Sequence, residues 1–201
     1  DVPLHFRNLS YTHKYHITQQ IANSNPAISI LAVDTHRVTS ERLRQRGWAY
    51  RYYGKEMVRV ATHFAADAGE NARVVFHRHE YLETFVDYIQ NKLRKNSWYL
   101  RKRQSSQILY DKLSSLSVLD DECETCLGFA DCVAHACYLA MNPHPLWQQV
   151  NPSCLDLLMD CIWPGPTYER NPKLFGAILE PEGIPIHMIP ALPTAIRRYW
   201  E

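Results

Sequence analysis

The sequence predicts an α/β protein in which a parallel sheet is flanked by helices, forming a single domain over residues 1–201. Three observations lead there. Residues 27–33 (AISILAV) form a near-continuous apolar run ending at Asp34-Thr35, the pattern of a strand buried on both faces. A second short β-type run, ARVVFH at 72–77, precedes a stretch with helical apolar spacing at Leu82, Phe85, Val86 and Ile89. Strand and helix patterns alternate, and that order favours parallel strands joined by crossover helices.

Taken in chain order, apolar residues 2–6 suggest a short strand that runs into a polar loop around Ser10. Helical spacing begins near Thr18, and the buried strand at 27–33 follows. Residues 38–46 read as a helix closed by Gly47, and residues 51–67 as a second helix ended by Gly69. A strand at 72–77 and a helix at 80–93 come next. Residues 98–116 read as a long helix, and 121–141 as another. Pro143, Pro145 and Pro152 punctuate the loops beyond. Residues 184–189 (IPIHMI) read as a late edge strand, where proline is tolerated.

Composition narrows the function. An apolar share of 46% in 201 residues is ample for one core. No apolar run approaches the roughly 20 residues of a membrane span, and no secretory leader is legible at residue 1. Six cysteines lie at 123, 126, 132, 137, 154 and 161, mostly inside helical patterns. Disulfide scaffolds are smaller and richer in loops, so these read as reduced thiols in a cytoplasmic protein. Cys123-x-x-Cys126 followed by Cys132 and His135 offers metal-like spacing without the second close pair of a zinc knuckle. No metal and no cofactor are expected.

The net charge of +1 conceals segregation. Arg42, Arg44, Arg46, Arg51, Lys55 and Arg59 cluster in one stretch, and Lys92, Arg94, Lys95, Arg101, Lys102 and Arg103 in another. Trp48, Tyr50, Tyr52, Tyr53, Trp98 and Tyr99 are interleaved with them. Basic stripes with aromatic neighbours suit a phosphate backbone, though solvated helix faces give the same pattern. Neither G-x-G-x-x-G nor G-x-x-x-x-G-K-[ST] is present, so no common dinucleotide or Walker loop is expected.

Ser10 is the leading chemical candidate. A strand, a serine-bearing loop and a helix start would expose its hydroxyl where open α/β sheets bind ligands. The following helix would supply N–H groups and a positive dipole end for an oxyanion. The alternative is an ordinary turn with a helix-capping serine.

Four stretches together resemble the cyclodipeptide synthases. Leu9-Ser10-Tyr11-Thr12-His13-Lys14-Tyr15-His16 is similar to that family's G-x-S-x-x-N-S-Y-F loop, with Ser10 at the nucleophile and Tyr15 at the aromatic. Residues 28–33 with Asp34-Thr35, Leu43 and Gly47-Trp48 resemble its strand, turn and helix. The basic helix from Arg51 and the strand at Ala72-Arg73-Val74-Val75 resemble the next segment. Tyr138-Leu139-Ala140-Met141-Asn142 resembles the Tyr-x-x-x-Glu motif. Asn8 replaces the family glycine, His13 the asparagine and Asn142 the glutamate.

The resemblance implies a Rossmann-like, class I aminoacyl-tRNA synthetase-like core without ATP motifs. It implies an aminoacyltransferase that takes two aminoacyl-tRNAs in turn and releases a cyclic dipeptide (a 2,5-diketopiperazine). Ser10, Tyr138 and Asn142 would be catalytic. Phe6, Asn8, His13, Tyr15, Asp156 and Asp160 would line the substrate pockets, and the two basic stretches would hold tRNA. The missing glutamate points toward a divergent branch such as the fungal arginine-using enzymes, where Asp156 and Asp160, on one helix face, would pair with a guanidinium.

Two other readings stay open. One is a non-catalytic tRNA-binding adaptor on the same fold. The other is a small helical domain stabilised by zinc on the cysteine cluster. The His77-Arg78-His79 run and His187 read either as RNA or catalytic contacts or as structural residues.

Overall fold

The structure is a computed structural model that describes residues 6–33, 38–95, 108–120, 125–142, 146, 149, 151–162 and 177–180. It is mixed α/β, with small parallel strand pairs flanked by helices. A 3-10 turn over Phe6–Asn8 leads into α1 (Tyr11–Asn23), followed by β1 (Ile30–Val33), α2 (Glu41–Arg44) and α3 (Arg46–Asp67). β2 (Ala72–His77), α4 (Glu80–Lys95) and β3 (Leu113–Leu119) form a strand–helix–strand unit. Then come α5 (Thr125–Met141), α6 (Ser153–Leu157) and β4 (Ala177–Glu180). β1 pairs in parallel with β4, and β2 with β3. Ile28 extends the first pair by a parallel bridge to Ile162.

Two apolar clusters carry the packing. The first joins Phe6, Ile21, Ile28 and Ile30 to Ala136 and Ala140 of α5 and to Leu155 and Leu158. The second joins Val58 of α3 to Leu82, Phe85 and Ile89 of α4 and to Leu113 and Leu116 of β3.

Several expectations need correction. α1 starts at Tyr11, seven residues before Thr18, because Ser10 caps it and α1 packs on α5 and α6. The helix expected at 38–46 is only the short α2. The chain breaks at Gln45 (ψ 122°), and α3 begins one residue later. Gly47 therefore lies inside α3 and terminates nothing. A Cβ there would stand 3.1 Å from the Tyr81 ring, and one at Gly54, two turns on, 3.3 Å from Phe85. These glycines let α3 press closely against α4. Gly69 does end α3, at φ +74°, with Glu70 N–H donating to the Ala65 carbonyl at 2.8 Å.

The described end of the helix expected at 98–116 is a 3-10 turn (Tyr110–Lys112) and then β3. Leu113 and Leu116, three apart, look helical in sequence. Between them the β2–β3 register slips: Ala72 pairs with Leu113 but Arg73 with Ser115. The extra residue, Ser114, reverses the strand's alternation and turns both leucines into the core. Residues 1–5, 98–107, 121–124 and 184–189, where other elements were expected, lie outside the described residues.

Candidate functional site: a serine–histidine pair at a helix N-terminus

Ser10 takes the N-cap position of α1 in extended conformation. Its Oγ accepts the His13 backbone N–H at 3.4 Å and lies 2.7 Å from His13 Nδ1. When the imidazole carries its proton on Nε2, the Ser10 hydroxyl donates to Nδ1. Both side chains are exposed. These bonds make Ser10 the cap of α1, and a hydroxyl hydrogen-bonded to an imidazole at the positive end of a helix is also chemically able to act as a nucleophile.

α5 backs this loop. Phe6 N–H donates to the Asp131 carboxylate at 3.3 Å, and the Phe6 ring meets His135 edge-on at 5.7 Å. His135 lies near-parallel to Tyr138, with centroids 5.9 Å apart. Tyr138 itself is 57% exposed. Lys14 Nζ donates to the Arg7 carbonyl at 3.0 Å, tying α1 to the turn before Ser10. Burial first, and then the Lys14 charge, push the His135 imidazole below its usual titration range. Its Nε2 is buried without a hydrogen-bond partner among the described residues. Asp131, His135 and Tyr138 were legible as a polar stripe at i, i+4 and i+7 on an otherwise apolar helix.

The remaining expected residues divide. Asn8 is exposed in the 3-10 turn, and Tyr15 is exposed with its ring 6.4 Å from Tyr11. Phe6 is 2% exposed and belongs to the core, which corrects its placement as a pocket wall. Asn142 turns its amide back, donating to the Tyr138 carbonyl at 3.1 Å. The same carbonyl also accepts the Asn142 backbone N–H at 2.9 Å, so Asn142 closes the C-terminal end of α5 with two bonds to one oxygen. Asp156 and Asp160 are exposed but do not share one helix. α6 ends at Leu157, and Asp160 lies in the 3-10 turn Met159–Cys161.

Of the basic residues, Arg42 lies 4.2 Å over the Trp48 ring and Arg51 5.7 Å from it. Arg51 also donates to Thr84 Oγ1, Arg44 donates to the Val38 carbonyl, and Lys55 is exposed. Arg59 is 1% exposed and ion-paired to Glu56 at 2.7 Å, so it is a core cation and not an RNA contact. The reason is positional. In the first half of α3 the described basic residues, Arg51 and Lys55, are exposed, while Val58 to Ala65 enter the core around most of the helix. Arg46, Lys92, Arg94 and Lys95 lie on α3 and α4, but their side chains are outside the described set, as are Arg101, Lys102 and Arg103.

Among the described residues no cluster of three or more His, Cys, Asp or Glu is placed to hold a metal ion, and no helix is long and apolar enough to cross a membrane. Cys132 and Cys137 are buried in α5. Burial pushes their thiols up to about 11 and about 12. Compared with protein-family models, curated proteins and solved structures, the chain matches none.

Proposed function

We propose that this chain is a tRNA-dependent aminoacyltransferase of the cyclodipeptide synthase type, built on a Rossmann-like core and acting in the cytoplasm. The Ser10–His13 pair at the start of α1 carries the reading. The exposed Arg42, Arg51 and Lys55 with Trp48 support a phosphate-backbone partner.

An aminoacyl-tRNA ester is already activated, so no ATP site is needed. Ser10 Oγ attacks the ester carbonyl, and its proton passes to His13 Nδ1. The α1 N-terminus faces the developing oxyanion. The tRNA 3′-oxygen leaves and takes the proton, which leaves the aminoacyl group on Ser10. The amine of a second aminoacyl-tRNA attacks that ester and releases Ser10. The resulting dipeptide then returns to Ser10 from its tRNA. Attack by the terminal amine on the Ser10-bound carbonyl closes the six-membered ring and frees the hydroxyl. Holding the chain ends together supplies much of the rate, since proximity contributes up to about 7–11 kcal/mol.

His13 stands where the resembled family has asparagine, which gives this chain a proton acceptor beside the nucleophile. Tyr138 is the candidate contact for the amino group. Asn142 acts on it from behind by holding the helix end.

The test is expression in a bacterial host with extraction of the medium and mass spectrometry of diketopiperazines. A cyclic dipeptide that appears with the native chain and vanishes with Ser10→Ala supports the reading. tRNA binding with no product, unchanged in that variant, favours a non-catalytic adaptor.

A further inference from the structure

A second site lies away from Ser10. A cavity of about 410 Å³ opens beyond the C-terminal ends of two strands, between Val33, the last residue of β1, and His79, two residues past β2. The two strands belong to separate parallel pairs, β1 with β4 and β2 with β3, and the volume of the cavity between their ends falls in the range of small-molecule pockets. None of its lining residues comes from the 3-10 turn, α1 or α5 that surround Ser10.

The walls have a definite chemistry. His79 and Tyr50 stack at 4.1 Å with planes 22° apart, and Tyr81 leans on both rings at 5.3 and 6.0 Å. The stack fixes a flat aromatic face beside the apolar Val33 and Leu43. Arg44 also lines the cavity. Its Nε donates to the Val38 carbonyl at 2.8 Å, which orients the guanidinium plane. A flat aromatic face next to an oriented guanidinium matches a ring that carries an anionic group. The neighbouring His77-Arg78-His79 run divides accordingly. Arg78 is tied to Asp120 and Glu83, while His79 turns to the cavity.

We propose that this cavity binds a purine nucleotide, with the base against the Tyr50–His79 stack and the phosphate on Arg44. The ligand is either a free mononucleotide or the terminal nucleotide of an RNA strand. The site goes beyond the Ser10 chemistry and does not rest on it.

The test is calorimetric titration of the full chain with adenosine 5′-monophosphate, with ribose 5-phosphate, and with a short single-stranded RNA ending in a 3′-adenosine. Saturable binding of the mononucleotide, absent for ribose 5-phosphate, is expected. Tyr50→Ala should weaken it by roughly tenfold or more, the loss of one base–aromatic stack. Tyr50→Phe should restore it. Leu43→Trp fills the cavity while keeping both stacked rings, so it should also abolish binding even if Tyr50→Ala fails to fold. Tighter binding of the RNA than of the mononucleotide, lost when its 3′-end is phosphorylated, assigns the ligand to an RNA terminus. The reverse order assigns a free nucleotide. The proposal is overturned if neither ligand binds up to about 1 mM, or if binding is the same in the native chain and in Leu43→Trp. Ser10→Ala is expected to bind adenosine 5′-monophosphate as the native chain does, so the two readings fail separately.

Discussion

Ser10 has two roles that one substitution can separate. Its Oγ caps α1 and is also the proposed nucleophile. Ser10→Ala removes both. N-cap loss costs about 0.5–2 kcal/mol. Here the cap bond is long, 3.4 Å, and exposed, which places the cost toward the lower end. For a chain of this size each kcal/mol moves Tm by about 2–4 °C, so Ser10→Ala should melt only slightly below the native chain. Asparagine caps helices as well as serine does but offers no hydroxyl. Ser10→Asn should therefore melt with the native chain and make no cyclic dipeptide. His13→Ala keeps the hydroxyl and loses its proton acceptor, so product formation should fall by about 10²–10⁴. Melting followed by circular dichroism, together with product quantification by mass spectrometry, reads all three variants. Product from Ser10→Asn at the native rate, or an unchanged rate in His13→Ala, would refute the reasoning.

Other outcomes follow from the packing and the charge distribution. Thr62 is buried, accepts the Leu109 N–H at 3.1 Å and donates to the Arg59 carbonyl at 2.8 Å. Thr62→Val orphans that N–H and should cost about 1–3 kcal/mol in urea unfolding. His135 is held below its usual 6.5 by burial and then by Lys14, so the unfolded chain binds its proton more readily than the folded one. Its contribution is complete above pH 6.5 and is lost as pH falls toward the lowered folded value; His135→Phe should flatten that part of the stability–pH curve. Replacing Arg42, Arg51 and Lys55 together by glutamine should weaken tRNA binding. The slope of log K against log salt should shrink by roughly 0.7–0.9 for each phosphate no longer neutralised. Arg59→Gln should instead lower stability, because that guanidinium is buried against Glu56.

The sequence disclosed elements whose signal is local. β2 matches residues 72–77, α4 starts at Glu80 as its spacing requires, and α5 ends at Met141. Three features were hidden because tertiary context decided them. Residues 11–16 (YTHKYH) are mediocre helix formers, and α1 begins there only because Ser10 caps it and α5 and α6 support it. Gly47 looks like a stop signal, yet its missing side chain serves the close approach to Tyr81. The bulge at Ser114 gives β3 the apolar spacing of a helix. At the site, Ser10 and His13 each stand out in the sequence, but their pairing was hidden because the helix start that brings them together is expected only near Thr18. The burial of Phe6 and Arg59 was hidden too, since aromatic and basic residues in such runs are read as surface until the packing is known.

Intact-mass analysis of the chain incubated with a single aminoacyl-tRNA, followed by peptide mapping, reaches the mechanism most directly. One added aminoacyl group on the peptide containing Ser10, absent in Ser10→Asn and released by a second aminoacyl-tRNA, is the expected result. Cyclic dipeptide formed without that adduct, or with the acyl group on another residue, would contradict it.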